Sequence, residues 1–133
     1  FEKQLAVKEL PEAWNEKMDK YLGIVPKYDK YGVLQDVHWS LGHFGYFPTY
    51  TLGNLYSAQF FKQLCEDITD VYGQISQGQL FDVKKWLNNN IHCHGSRLTA
   101  EELVQKVTGR PLGVEDFTNY LKKKFNALYN LSN

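Results

Sequence analysis

Hydrophobic positions fall into helical stripes over most of this chain. Trp14, Met18, Tyr21 and Leu22 recur at the spacing of one helix face. Leu10-Pro11-Glu12 places a proline in the first turn, where its missing N–H costs little. Gly23 suits the stop, and Pro26 confirms it. A longer pattern, from about 48 to 69, carries Leu52, Leu55, Tyr56, Ala58, Phe60, Phe61, Leu64 and Ile68. Such a helix is apolar on most sides and is expected to pack on several of them. Leu80, Val83, Leu87 and Ile91 form one further stripe, with Gly95 past its end. Thr99-Ala100-Glu101-Glu102 spells a capping box, with Thr99 as the cap and Glu102 reaching back. Leu103, Val104 and Val107 then bury a short helix that Gly109 and Pro111 stop. Val114, Phe117, Leu121, Phe125 and Leu128 make the last stripe.

One stretch resists this period. Leu34, Asp36 and His38 would share one face of a strand, and Gln35, Val37 and Trp39 the other. The expected fold is all-α, with an irregular or short extended stretch near 24–47. No internal repeat is visible, and residues 1–133 read as a single helical unit.

Charge changes the picture most in that same region. Residues 1–30 carry 12 of the 30 charged side chains, and residues 31–65 carry only Asp36 and Lys62. Nine aromatics lie between Tyr31 and Phe61. An ordinary surface does not hold such a segment, so buried core or the lining of a cleft is expected. The formal net charge is zero, which offers no field for nucleic acid or an anionic membrane. No apolar run has a membrane-spanning length. The first ten residues are too charged for a signal peptide. Two cysteines, Cys65 and Cys93, make no disulfide framework, so a reducing, cytoplasmic compartment is expected. The chain opens at Phe1, and its one methionine is Met18. A processed chain, a recombinant product or a fragment of something longer each fits that start.

The chemistry on offer is narrow. None of His38, His43, His92 and His94 is followed by Glu, so the H-E-x-x-H zinc pair is absent. His92-Cys93-His94 clusters possible ligands, but a stable zinc site wants three or four, and the trio reads as structural at a helix end. Cys65 reads as a core thiol. Lys122 to Lys124 read as a solvated helix face. The segment Gly32-Val33-Leu34-Gln35-Asp36-Val37-His38-Trp39 differs in kind. It sets an amide, a carboxylate, an imidazole and an indole within five residues, beside Tyr46 and Tyr50. A buried polar network explains it as well as a substrate-binding face does.

That segment resembles the G-x-x-Q-D-x-H-W motif of the thermostable carboxypeptidase Taq family of zinc metallocarboxypeptidases. Gly45-Tyr46-Phe47-Pro48-Thr49-Tyr50 with Leu52-Gly53-Asn54 is similar to the family's G-Y-F-P-T-Y stretch. Leu10 to Asn15, Ile91-His92, Glu102-Leu103, Thr108-Gly109 and Tyr120-Leu121-Lys122 extend the likeness over nearly the whole chain. The resemblance implies the C-terminal quarter of a longer, mostly helical enzyme, with the N-terminal catalytic part absent. It implies a peptide substrate trimmed at its C-terminus, and zinc in the intact enzyme, with none held by this chain alone. In the family the zinc ligands, the general base and the Arg-containing motif for the terminal carboxylate all lie upstream. By the same analogy His38 and Tyr50 would contact the transition state. Tyr50 is preferred to Tyr46 for the oxyanion, while Gln35 and Tyr46 would bind substrate. Asp36 and Trp39 would stand behind them, with Asp36 orienting His38 or Trp39. Further implied partners are the missing N-terminal part and, as in family members, a second copy as a homodimer. The isolated chain is expected to be inactive. The competing expectation is a self-sufficient helical interaction module, which would close its aromatics into a core.

Overall fold

A computed structural model describes residues 5–131, and its described residues contain helices and turns but no strand. Packing divides the chain into two compact units, Phe1–Pro48 and Thr49–Asn133. None of the described helices is long and apolar enough to cross a membrane.

The first unit begins with a 3-10 turn at Val7–Glu9 and continues into α1 (Leu10–Leu22). Pro11 lies in the first turn, and Gly23 ends the helix in the left-handed conformation, its N–H reaching the Asp19 carbonyl at 2.8 Å. The extended reading of 34–39 is wrong. Two 3-10 turns, Asp29–Tyr31 and Val33–Gln35, lead instead into a four-residue helix, α2 (Val37–Ser40). The cause is Asp36. Its carboxylate caps the His38 N–H and turns an alternating sequence into a helix start. Gly32 lies against the side chains that precede it. A Cβ there would stand 3.1 Å from Pro26 Cγ and 3.4 Å from Trp14 Cδ1.

The second unit holds the main core. Helix α3 (Pro48–Asp67) runs almost as the periodicity predicts, and α4 (Val71–Ser76) follows after Asp70 turns the chain. Helix α5 (Phe81–Asn90) leads into a 3-10 turn at His92–His94, and then come α6 (Ala100–Thr108) and α7 (Glu115–Tyr129). Leu64, Val71 and Trp86 are buried together, with Phe61, Cys65, Ile68, Val83, Leu87, Ile91 and Val107 packed around them. The predicted capping box is present: Thr99 accepts from the Glu102 N–H, and Glu102 accepts from the Thr99 N–H at 2.8 Å.

Several predicted core positions lie outside. Leu80 caps α5 and is exposed, as are Val114 and Leu128. In helix α3 the buried residues are Gln59 and Leu64, Leu55, Tyr56, Ala58, Phe60 and Phe61 are half-buried, and Tyr50 and Leu52 are exposed.

Candidate functional site

Asp36 and His38 are the closest-knit pair of the predicted residues. One carboxylate oxygen of Asp36 meets both the His38 backbone N–H (2.9 Å) and the His38 Nδ1 (2.8 Å). The two side chains are only 8% (Asp36) and 16% (His38) exposed. An ionised carboxylate only accepts hydrogen bonds, so Nδ1 carries the proton in this pair.

Aromatic rings flank His38. Tyr46 stacks on it at 5.2 Å between centroids and 28° between planes. Phe47 meets it at 5.8 Å and 73°. His43 tilts against Tyr46 at 6.0 Å. Trp39 pairs with Phe44, and the Asp36 carboxylate bonds the His38 ring. Gln35 is exposed and donates from its side-chain amide to the Lys30 carbonyl. Tyr46 and Tyr50 are 48% and 52% exposed. Tyr50 lies in the first turn of α3 and belongs to the second unit. Sequence reasoning missed Phe47 and His43 here. The signal was the pair of glycines, Gly42 and Gly45, which both take φ of +77° and let the chain double back onto His38.

The described residues contain no group of three or more His, Cys, Asp or Glu side chains able to hold a metal ion. His92, Cys93 and His94 form one 3-10 turn, and two of them are engaged locally. The His92 ring pairs with Asn88 at 3.0 Å, and the Cys93 thiol donates to the Asn89 carbonyl at 3.0 Å. These residues do not fit a zinc site. Both cysteines are free. Cys65 is partly buried against the core, and burial pushes its thiol pKa up despite an opposing pull from Lys123.

Known proteins match this chain along nearly all of its length. "Thermostable carboxypeptidase 1" of Thermus thermophilus is 46% identical over 129 residues, 97% of this chain and 25% of that protein. "Carboxypeptidase 1" of Bacillus subtilis is 40% identical over 129 residues, 97% of this chain and 26% of that protein. The solved structure of "Trypanosoma Cruzi Metallocarboxypeptidase 1" superposes with a TM-score of 0.86 at 40% identity, covering 92% of this chain and 26% of its own. The chain thus spans about a quarter of the length of the relatives it matches. A family profile described as "Carboxypeptidase Taq (M32) metallopeptidase" matches residues 1–125. With its fold and its Gln35-Asp36-Val37-His38-Trp39 segment in place, this chain belongs to the carboxypeptidase Taq (M32) metallopeptidase family.

Proposed function

We propose that this chain is the C-terminal part of a zinc-dependent carboxypeptidase and forms one wall of its substrate cleft. The observation that carries the reading is His38, fixed by Asp36 at 2.8 Å within a segment whose aromatic side chains face outward. Exposed Tyr31, Phe44, Tyr46, Phe47 and Tyr50 suit a surface covered by another part of the protein or by substrate. They do not suit a self-sufficient module with its aromatics closed inside. The metal belongs to the part of the enzyme outside this chain, so the chain alone is inactive. Free cysteines accord with a reducing, cytoplasmic setting.

In the proposed reaction water adds to the last peptide carbonyl, whose oxygen becomes an oxyanion. Collapse of that intermediate releases the C-terminal amino acid, with its nitrogen taking a proton. His38 hydrogen-bonds the substrate backbone or the oxyanion. Tyr50 donates its hydroxyl to the oxyanion, and Gln35 and Tyr46 hold the substrate backbone or carboxylate. Trp39 supports the segment from behind.

The test is steady-state hydrolysis of an N-blocked dipeptide by the complete gene product with zinc. His38→Ala and Tyr50→Phe are each expected to raise the barrier by about 2.7–4 kcal/mol. The 133-residue chain alone is expected to release no amino acid. Full activity of that chain, or wild-type rates in His38→Ala, would sink the proposal.

A further inference from the structure

A groove of about 550 Å³ lies between α3, α4 and α7, within the second unit. Its α3 side carries the small side chains of Ser57 and Ala58, and its walls are aromatic. Phe61 meets Tyr72 edge to face at 5.6 Å, and Phe117 stacks with Tyr120 at 6.5 Å. In this chain Tyr72 and Tyr120 are 62% and 47% exposed, an apolar surface that calls for cover.

Charge decides what can cover it. At one end the Asp116 carboxylate is buried between Arg110 and Lys62, and Lys62 also reaches Glu66 at 3.8 Å, so those charges are matched. At the other end Lys123 lies over the Tyr72 ring at 5.9 Å, and Lys124 over the Tyr120 ring at 5.7 Å. Neither ammonium pairs with a carboxylate among the described residues, and residues 117–131 contain no Asp or Glu. A purely apolar cover would desolvate both ammoniums without a counter-charge, so the cover has to bring carboxylates. A second copy is a poor fit, because a two-fold contact through this groove sets the same lysines opposite one another. The relatives are covered to only 25–26% of their length, which leaves about three quarters of such a protein to dock.

We propose that the α3–α4–α7 groove seats an apolar segment of the same protein, ahead of Phe1, whose Asp or Glu side chains pair with Lys123 and Lys124. The inference rests on the reading of this chain as the C-terminal part of a longer enzyme.

The experiment uses the complete gene product, whose intact mass is measured first. Nitrogen-15-labelled and unlabelled protein are then mixed, equilibrated and treated with a water-soluble carbodiimide, which joins an ammonium to a carboxylate it touches. Peptide mass spectrometry should find Lys123 or Lys124 joined to an Asp or Glu ahead of Phe1, without mixed-isotope pairs. The Lys123→Glu/Lys124→Glu double variant should melt several degrees below Lys123→Gln/Lys124→Gln. Both doubles lose the same ring contacts, and Glu and Gln have nearly equal helix propensity, so the difference reads the facing carboxylates. Mixed-isotope links alone would put a second copy in the groove and overturn the proposal. So would the absence of links from these lysines while others react, or equal Tm values for the two doubles. An intact mass of 133 residues removes both the longer-protein reading and the occupant. Should a longer product cleave no N-blocked dipeptide with zinc while the links form, the peptidase reading falls and the seating stands.

Discussion

Asp36 joins two tasks in one carboxylate: it caps α2 and anchors the His38 ring. Asn is nearly as good a cap and still offers an oxygen to Nδ1, whereas Ala offers neither. Asp36→Ala is therefore expected to lower stability by about 1 kcal/mol in a thermal or urea melt and to lower kcat as well. Asp36→Asn should keep the stability and lose only part of the rate. Equal melts for wild type and Asp36→Ala would remove the cap from the account. Gln59 is the opposite case, a residue with no visible signal. It is an amide inside an apolar helix, yet its side chain is 0% exposed. Its Nε2 donates to Thr108 Oγ1 (2.9 Å) and the Pro111 carbonyl (3.1 Å), and its Oε1 accepts from the Gly113 N–H (3.1 Å). It clamps the α6–α7 connection, where backbone groups have no ladder to join. Gln59→Leu strands those groups and should destabilise by about 1–3 kcal/mol in urea unfolding. No periodicity reports such a role, because the partners lie about fifty positions away in sequence.

At the scale of elements, local chemistry decided what could be read. The α6 capping box was legible because its cap, its returning carboxylate and its apolar run all lie within nine residues. Hydrogen bonds from the Thr99 backbone, then from its hydroxyl, hold the Glu102 carboxyl below the ordinary glutamate pKa. A lowered folded pKa means the stabilisation is present above the unfolded value and is lost as pH falls through the folded one. Amide protection of α6 should thus decline on acidification below the ordinary glutamate range. Glu102→Gln should flatten that part of the profile in hydrogen exchange. Helix α4 escaped notice because it is only six residues long, and its start depends on Asp70 in the left-handed conformation with its side chain on the Gly73 N–H. At α2 a two-residue alternation mimicked a strand, and the Asp36 cap overrode it.

Across the whole molecule, the hydrophobic pattern announces more burial than the chain supplies for itself. The reading of α3 as apolar on most sides and the aromatic density of 31–61 both called for cover, yet Tyr31, Leu34, Phe44, Phe47, Tyr50 and Leu52 are exposed. Among the described residues of the first unit, Val33 is the one buried apolar side chain. A pattern of apolar positions records burial in the protein that was selected. Under the proposed reading that protein is about four times this long, since its relatives are covered to only 25–26%. The uncovered side chains, not a misjudged period, are then why core positions were over-assigned. The prediction is direct. The isolated chain should bind a hydrophobic dye such as ANS and gain mass with concentration in light scattering, because exposed apolar area of this extent associates. The complete gene product should do neither through this segment, and amides near Ile24, Val25 and Tyr28 should exchange much more slowly in it than in the isolated chain. A dye-silent monomer of 133 residues would instead mean that the segment closes on itself, and the helical interaction module would become the better account.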